Sequence, residues 1–313
     1  MSSSSKINTI GITSVSFSKN LKLINKLKSK TNYKIIINNK GRKFKNFELL
    51  NFLKKCNYAI IGLDKIEKDL LIKCKKLKGI SKYGVGTDNI DFDACKELKI
   101  KVKYSKGVNK RSVSEEVLSL MISLIRNLFV SCNHLKNSKW IVNGGTELSG
   151  KTIGIIGVGN VGKDLISLLK PFKCKILVND IINQKKYYDK NKLIKSSKKN
   201  IFIKSDIITI HTPLSKNTFK MINYKSLKLM KKTSFLINTS RGNIIDQKDL
   251  KSFLIRGKIA GAALDVYEEE PPKDKNFLKL PNLICMPHIG GSSKEAINNM
   301  GLAAINNLIK MIK

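Results

Sequence analysis

The sequence is poor in acidic residues: 23 Asp and Glu stand against 60 Lys and Arg, which gives a formal net charge of +37. Such a charge is typical of proteins that bind nucleic acid or anionic membranes. The chain has no arginine-rich tract, however, and no interleaving of aromatic and basic residues. Its lysines are spread along the whole chain among many Ile and Asn, as an AT-rich genome would impose. We therefore expect no nucleic-acid partner beyond nonspecific binding at low salt.

Histidine is scarce, and the cysteines form no motif. The chain has three His and six Cys, with no C-x-x-C pair and no cluster at the spacing of metal ligands. This pattern predicts neither a zinc site nor a disulfide framework. We expect no bound metal, and we expect the cysteines to be reduced and mostly buried thiols.

Long apolar runs are also missing. The longest, Val117 to Val130, is interrupted by Arg126 and Asn127, and the run at 7–12 is too short for a signal peptide or a membrane span. We therefore expect a cytoplasmic protein without a membrane partner. The length of 313 residues is enough for two domains.

A glycine-rich stretch at 151–163 indicates a dinucleotide site. It follows a short apolar strand and has the spacing G-x-G-x-x-G, with Gly157, Gly159 and Gly162. The first glycine allows a tight turn, the second lets the backbone approach a pyrophosphate, and the third lets the next helix pack on the strand. That helix begins at Asn160 and Val161, so its first amides face the phosphates. The alternative is an ordinary βαβ unit without a ligand.

An acidic residue at the next strand end supports the dinucleotide interpretation. The strand at 175–179 is followed by Asp180, about 20 residues after the last glycine, where a carboxylate accepts hydrogen bonds from the adenosine ribose. Its charge would repel a 2′-phosphate, so NAD is favoured over NADP. Lys185 and Lys186 lie close enough downstream to leave NADP open.

Short strands alternate with amphipathic helices along residues 6–103, and the alternation resumes after 151. This order predicts two α/β domains, each with a parallel sheet covered on both faces. In the first domain, the stretch 81–91 carries two glycines after a strand. It reads equally well as an anion-binding loop or as a tight turn before a helix that starts at Asp91.

A longer helix is predicted after the first domain. Ser112 is a candidate N-cap with Glu115 three residues on, which is a capping-box spacing, and the helical pattern continues to about Val130. The helix is apolar on more than one face, so we expect it to be buried between domains or subunits.

Chemically active side chains collect at the predicted strand ends of the second domain, where ligands of doubly wound sheets bind. His288 lies in a Pro/Gly-rich loop suited to positioning an acid or base, whereas His134 and His211 are expected to be structural. Glu270, before two prolines, is the candidate partner of His288, with its neighbours at 268 and 269 as competitors. Arg241 suits a bidentate grip on a carboxylate.

These motifs together resemble one known family. The glycine fingerprint, HTPL, INTSRG, ALDVYEEEPP and PHIGGSS follow one another as in the D-isomer-specific 2-hydroxyacid dehydrogenases, a group that includes phosphoglycerate dehydrogenases. KYGVGTDNID and GVNKRSVSE resemble the substrate-loop and hinge motifs of this family. The resemblance covers nearly the whole chain and is strongest from Gly79 to Gly291.

The resemblance implies an NAD-dependent enzyme that moves a hydride between nicotinamide and C2 of a 2-hydroxy or 2-oxo acid. His288 would be the acid/base, Glu270 would raise its pKa, and Arg241 would bind the substrate. Further cofactor contacts are expected at Thr212, Pro213, Thr239, Asp265 and Gly291, with Asp265 at the nicotinamide amide. Further substrate contacts are expected at Lys82, Val85, Gly86 and Asn109. Many relatives have arginine where Lys82 stands, which puts that contact in doubt.

The resemblance also implies the architecture. A Rossmann NAD-binding domain, 104–289, would be inserted in a flavodoxin-like substrate domain, 1–103 plus 290–313, and closure about the two crossings would exclude water. A homodimer through the 113–130 region is expected. The substrate side chain is open, with 3-phosphoglycerate as the first candidate. The alternative function is an NAD(H)-sensing protein that recruits partners or nucleic acid.

Overall fold

The structure is a computed structural model that describes residues 8–313, and it divides into two compact units. The first unit extends to Asn109 and resumes at Ser292, and the second is Lys110–Gly291. The chain thus passes between the units at 109/110 and at 291/292, slightly after the boundaries expected from the sequence.

The segment 104–109 belongs to the first unit because its side chains are bound there. The Asn307 amide donates a hydrogen bond of 3.0 Å to the Ser105 hydroxyl. The Tyr104 ring packs edge-on against Phe92, and Val108 lies against the core of the same unit.

The first unit is a five-stranded parallel sheet with helices on both faces. Its strands are β1 (Thr9–Ile12), β2 (Lys34–Ile37), β3 (Tyr58–Ile61), β4 (Gly79–Lys82) and β5 (Lys101–Lys103). Its helices are α1 (Val15–Lys19), α2 (Leu21–Lys28), α3 (Asn46–Leu53), α4 (Lys68–Lys73), α5 (Phe92–Glu97) and, at the end of the chain, α14 (Lys294–Ile312). The strand order β2-β1-β3-β4-β5 is the flavodoxin-like order.

Buried aliphatic residues explain this layering. The central strand β3 is buried along its whole length, as expected of a parallel strand covered on both faces. Leu23 and Leu27 of α2 pack with Ala304 and Leu308 of α14 on one face of the sheet. The apolar sides of α3, α4 and α5 fill the other face.

The second unit is a seven-stranded parallel sheet. Its strands are β6 (Thr152–Ile156), β7 (Lys175–Asn179), β8 (Ile194–Lys195), β9 (Ile207–Ile210), β10 (Phe235–Asn238), β11 (Gly261–Leu264) and β12 (Leu283–Cys285). Its helices are α6 (Lys110–Ile125), α7 (Leu128–Lys136), α8 (Asn160–Leu169), α9 (Lys185–Lys190), α10 (Lys198–Lys204), α11 (Tyr224–Leu227), α12 (Gln247–Ile255) and α13 (Lys275–Leu278).

The strand order of this second sheet is β12-β11-β10-β9-β6-β7-β8. It is the Rossmann order with one further strand, and the direction of winding reverses between β6 and β9. Dinucleotides bind at such a reversal, at the carboxyl ends of the strands. The predicted fold class, a Rossmann domain inserted in a flavodoxin-like domain, is confirmed.

The helix that follows the crossing differs from its prediction in two ways. It starts at Lys110, so Ser112 lies inside α6 and is not its N-cap; its hydroxyl instead donates to the Gly290 carbonyl at 2.5 Å. It ends at Ile125 rather than near 130, because Asn127 adopts a left-handed backbone with φ of 53° and α7 starts anew after it.

The apolar faces of α6 are covered within the unit. Val117, Leu120 and Leu124 are buried with residues of α8 and the sheet in one continuous core. A polar contact anchors the same pair of helices: Asp164 of α8 is buried, accepts a hydrogen bond from the Ser114 hydroxyl and pairs with Arg111 at 3.0 Å. The excess of apolar residues in 113–125 therefore reflects this packing.

Residues 8–313 contain no membrane-spanning helix, no metal-binding cluster and no disulfide. No helix in this range is long and apolar enough to cross a membrane. The same residues contain no cluster of three or more His, Cys, Asp or Glu able to hold a metal ion. None of the six cysteines is in a disulfide; three are buried, two are half-buried and Cys132 is exposed.

Candidate active site

The three fingerprint glycines lie between β6 and α8, and each meets a different constraint. Gly157 has φ of +98°, and a side chain there would press on the His211 backbone. A side chain at Gly162 would overlap the Gly157 carbonyl, so this glycine lets α8 pack closely. Gly159 has no atom within 4 Å of where its side chain would start. That open space is what a pyrophosphate needs at the start of a helix.

Asp180 joins the end of β7 to the fingerprint loop. Its carboxylate accepts a hydrogen bond from the Val158 amide at 2.6 Å and one from the Ile182 amide at 2.8 Å. Each oxygen has a further lone pair, so the carboxylate still has acceptor capacity for ribose hydroxyls. The side chain is half-buried, and its partner Val158 lies two residues before α8, which starts with Asn160 and Val161.

On the other side of the reversal, β9 and β10 end in two threonines. The hydroxyls of Thr212 and Thr239 are both buried and have no hydrogen-bond partner. Buried hydroxyls without partners are uncommon in folded proteins, and they mark places where a ligand or water completes the bonding. Together with the space at Gly159, they show that the residues of this edge suit a dinucleotide such as NAD. Pro213 follows Thr212 in the same loop and is exposed.

Asp265, the residue after β11, fixes the loop that carries His288. Its side chain is 1% exposed and accepts hydrogen bonds from the amides of Ile289 at 2.7 Å and Gly290 at 2.8 Å. His288 has a left-handed φ of 57°, which is unfavourable for a residue other than glycine. The two bonds to Asp265 hold this conformation. Burial raises the pKa of the Asp265 carboxyl, although the two amides oppose the rise.

His288 and Glu270 form the central pair of the site. The His288 Nδ1 atom lies 2.7 Å from Glu270 Oε2. The hydrogen bond to Glu270 raises the pKa of His288 above its ordinary value of 6.5, against the effect of burial. Burial by itself raises the pKa of Glu270, but the bond and charge of His288 outweigh it, so this pKa is lowered.

The other two candidate carboxylates, Glu268 and Glu269, contact partners other than His288. Glu268 accepts a hydrogen bond from the Gln247 amide at 3.1 Å, and Glu269 pairs with Lys273. The loop itself is anchored by Tyr267, whose hydroxyl donates to the Met286 carbonyl at 3.1 Å. Of the three acids, only Glu270 contacts His288.

Arg241 lies in the turn after β10. The Asn238 side-chain amide donates to the Arg241 carbonyl at 2.9 Å and so fixes the turn. A side chain at Gly242 would overlap the Tyr267 backbone, so glycine lets the Arg241 turn approach the Glu270 loop. The guanidinium is half-buried and donates to the Ser240 carbonyl at 2.6 Å.

The other two histidines show no catalytic arrangement. His211 Nε2 lies 3.0 Å from the Thr209 hydroxyl, and burial lowers its pKa to about 4, so it is neutral at physiological pH. His134 is half-buried on α7, where its backbone carbonyl caps the helix end. Both observations fit structural roles.

The substrate residues expected in the first unit lie at the end of β4, in the turn after it, and at the first crossing. Lys82 is 3% exposed, and its Nζ donates to the Gly62 carbonyl. Val85 and Gly86 are half-buried in the turn that leads to α5, whose N-cap is Asp91, as predicted. Asn109 is the half-buried last residue of the unit before the crossing.

One acidic residue near His288 was not found from the sequence. Glu116 of α6 has both carboxylate oxygens buried and without a hydrogen-bond partner. Burial, then the charge of Asp265, raises its pKa to about 8, although His288 opposes the rise. No motif marks it in the sequence: it lies between the exposed Glu115 and the buried Val117 of α6.

Comparisons with known proteins identify the family. Residues 118–290 match the family model of the D-isomer specific 2-hydroxyacid dehydrogenase NAD binding domain. The chain is 36% identical over 278 residues to D-3-phosphoglycerate dehydrogenase of Methanocaldococcus jannaschii, a match that covers 85% of this chain and 52% of that protein. It thus spans about half the length of that relative. It is 34% identical to hydroxypyruvate reductase of Thermotoga maritima, covering 84% of this chain and 87% of that protein.

A solved structure extends the likeness to the fold. D-lactate dehydrogenase of Aquifex aeolicus, complexed with NAD and lactic acid, superposes with a TM-score of 0.84 at 26% identity. The match covers 96% of this chain and 93% of that one. This fold, with an NAD fingerprint and a histidine–carboxylate pair, defines an NAD-dependent oxidoreductase. The chain belongs to the D-isomer specific 2-hydroxyacid dehydrogenase family. The predicted family, enzyme class and cofactor NAD are confirmed, and a purely sensing role is not favoured.

Proposed function

We propose that this chain interconverts a D-2-hydroxy acid and its 2-oxo acid, with Arg241, Glu270 and His288 as catalytic residues. The observation that carries the proposal is the 2.7 Å contact between His288 Nδ1 and Glu270 Oε2. It occurs at the edge of the sheet that also carries the glycine fingerprint. A histidine oriented by a carboxylate is a suitable proton donor and acceptor near neutral pH.

Each residue has one task in the reduction. Bound NADH supplies the hydride that C2 of the 2-oxo acid receives. His288, protonated and held at Nδ1 by Glu270, gives the Nε2 proton to the oxygen on C2, so the carbonyl becomes a hydroxyl. Arg241 binds the substrate carboxylate and keeps C2 in place. In the oxidation, neutral His288 takes the hydroxyl proton back.

The substrate is proposed to be a small 2-oxo acid. Relatives matched along most of their length are named hydroxypyruvate reductase and glyoxylate reductase, and the longer relatives are named D-3-phosphoglycerate dehydrogenase. Phosphohydroxypyruvate, the 2-oxo partner of 3-phosphoglycerate, is therefore tested beside hydroxypyruvate and glyoxylate. The amides of Val85 and Gly86 are proposed to bind the carboxylate, with Lys82 and Asn109 as further contacts.

We propose the same cofactor-binding residues that the sequence predicts. Asp180 would bind the adenosine ribose and disfavour NADP, and the first amides of α8 would bind the pyrophosphate. Thr212, Thr239 and Asp265 would line the nicotinamide half, with Pro213 and Gly291 in the adjoining loops. The unpartnered hydroxyls of the two threonines support this assignment.

The first experiment is a screen of NADH oxidation against phosphohydroxypyruvate, hydroxypyruvate, glyoxylate, pyruvate and bulkier 2-oxo acids. We expect turnover with at least one of them. His288→Ala should cut turnover by roughly a thousandfold and leave NADH binding within about twofold. Wild-type turnover in His288→Ala would contradict the assignment. His134→Ala is the matched control and should behave like the wild type.

We also propose a homodimer, now through the segment just after α6. Its exposed apolar side chains include Leu128 at 49%, Trp140 at 81% and Val142 at 86%. The start of α7 also contributes Phe129 and Val130 to a mainly apolar cavity of about 440 Å³, which is further lined by Leu124, Phe235, Leu254 and Ile284. Monomers rarely expose such a patch, so a second copy is a suitable cover.

Light scattering on the eluted protein tests the dimer. The wild type should have twice the mass of the chain, and Trp140→Glu should shift it to the monomer. Phe47→Glu, which alters a side chain 72% exposed in the other unit, should stay dimeric. A monomeric wild type would overturn the proposal.

The remaining predictions concern location and charge. We propose that the enzyme acts in the cytoplasm and that its net charge of +37 serves no nucleic-acid partner. Binding to duplex DNA should then be lost at physiological salt, because nonspecific phosphate contacts weaken steeply with ionic strength. Binding that persists there would show that the charge has a partner.

A further inference from the structure

Glu116 is an ionisable side chain that has no role in the proposed mechanism or in the proposed cofactor site. It lies on α6, which contacts α8, β10 and β11 of the second unit. Both of its carboxylate oxygens are buried, and neither has a hydrogen-bond partner. A buried, unpaired carboxylate is costly in its charged form, so the group stays neutral unless a ligand supplies donors.

The surroundings of Glu116 belong to the cofactor edge. A methyl group added at Gly290 would overlap Glu116 Oε2 and would lie 3.0 Å from Asp265 Oδ2. The two carboxyl groups therefore flank the same glycine. Ser112, one turn earlier on α6, donates to the carbonyl of that glycine. Gly290 is thus held between α6 and Asp265.

The position along the sheet indicates which part of the dinucleotide is near. The fingerprint and Asp180 lie at β6 and β7, so the adenosine half belongs on that side of the reversal. The nicotinamide half then extends over β9, β10 and β11. Asp265 directly follows β11, and Glu116 faces the same glycine as Asp265. The acid pair therefore lies at the nicotinamide end.

We propose that Glu116 acts as a neutral carboxylic acid that binds the carboxamide of the cofactor, opposite the side chain of Asp265. A neutral acid has one O–H donor and one C=O acceptor, which complement the C=O and NH₂ of a primary amide. The second N–H of the amide is left for Asp265. Glu116 is thus a cofactor-binding residue, and the inference rests on the NAD site of the proposed function.

Two ionisable groups act on the carboxyl of Glu116. They are Asp265 after β11 and His288 after β12, while Asp164 of α8 and Arg111 pair with each other nearby in the α6–α8 contact. Burial, and then Asp265, raises the pKa of Glu116 to about 8. The neutral form therefore prevails at pH 7. As the pH rises through about 8, Glu116 ionises, the donor is lost, and the affinity for NADH should fall.

The experiment compares two ligands on the full chain. NADH binding is followed by its fluorescence, and ADP-ribose, which lacks nicotinamide, is measured by competition. Glu116→Leu should weaken NADH by roughly tenfold and leave ADP-ribose within about twofold. Glu116→Gln, a neutral amide with one donor and one acceptor site available, should keep NADH within about threefold. Glu115→Gln changes the exposed neighbour on the same helix and should have no effect.

The pH dependence provides the second readout. Wild-type NADH affinity should fall above about pH 8, and Glu116→Gln should lack this fall. His288 and Asp265 titrate in both proteins, so the difference isolates Glu116. Equal changes for NADH and ADP-ribose, no change for either, or the same pH dependence in both proteins would overturn the inference. A wild type that binds neither ligand would instead contradict the proposed function.

Discussion

Replacing Glu270 by Gln removes the charge that supports His288 and keeps the size of the side chain. The Nδ1–Oε2 contact is 2.7 Å, and both side chains are 37% exposed. A hydrogen bond to a charged group contributes about 1.5–3 kcal/mol when it is buried, and exposure to water reduces this to about 1–2 kcal/mol. Because about 1.4 kcal/mol corresponds to a tenfold change, we expect turnover to fall by roughly tenfold.

The direction of the pH effect follows from the pair. Glu270 raises the pKa of His288 above 6.5. Reduction needs protonated His288, so its rate is full below the raised pKa and is lost as the pH rises through it. Oxidation needs neutral His288 and gains rate over the same interval. Without the Glu270 charge the pKa of His288 falls, so both transitions should move to lower pH.

The assay is the steady-state rate against pH, in both directions, at saturating NADH or NAD. Glu269→Gln is the matched control. It removes the same charge from the neighbouring residue, whose side chain pairs with Lys273 and not with His288. It should leave the pH profile unchanged. If Glu270→Gln has the wild-type profile, Glu270 does not tune His288 and the mechanism is wrong.

Two further predictions concern the fingerprint and the α6–α8 contact. Gly159→Ala should weaken NADH binding by roughly tenfold at unchanged stability, because its methyl group meets only the space left for the pyrophosphate. Gly162→Ala should instead lower the urea midpoint of unfolding, since its methyl group overlaps the Gly157 backbone. Equal stabilities of the two variants would contradict this distinction. Asp164→Ala should lower the free energy of unfolding by about 1–3 kcal/mol, because it removes the carboxylate that pairs with Arg111 and accepts from the Ser114 hydroxyl. The hydroxyl would keep only the Arg111 carbonyl as acceptor. Unchanged urea unfolding would show that this contact is not stabilising.

Much of the second unit could be predicted from local sequence alone. The fingerprint combines a short aliphatic strand, glycines at fixed spacing and an acid after the next strand, and each follows from backbone geometry near a phosphate. Helix α8 and strand β7 have the predicted bounds. Parallel strands buried on both faces are continuous aliphatic runs, which makes them visible without an alignment.

Long-range contacts could not be predicted in this way. Ser112 and Glu115 have a capping-box spacing, yet the helix starts earlier, because the Ser112 hydroxyl binds Gly290, far away in the sequence. The break at Asn127 depends on one left-handed residue inside an apolar run. The choice of Glu270 over its two acidic neighbours required the geometry of the loop, since all three are equivalent in composition.

The site residues show the same limit. Arg241 and His288 were visible because glycine and proline around them exclude regular structure. Glu116 was missed because a single acid in an apolar helix carries no motif, and only its buried oxygens beside Asp265 reveal it. The inserted arrangement of the two domains came from the family resemblance, since alternating strands and helices do not indicate which sheet the last helix joins.

The central claim is that His288 and Arg241 hold a 2-oxo acid for direct hydride transfer. It is tested most directly with NADH that carries deuterium at both positions of C4, using the 2-oxo acid that the screen identifies. We expect the label at C2 of a D-configured 2-hydroxy acid, seen by mass spectrometry and chiral chromatography. The label should be nearly absent in His288→Ala, although that variant still binds NADH. A product without deuterium, an L-configured product, or full labelling in His288→Ala would contradict the account.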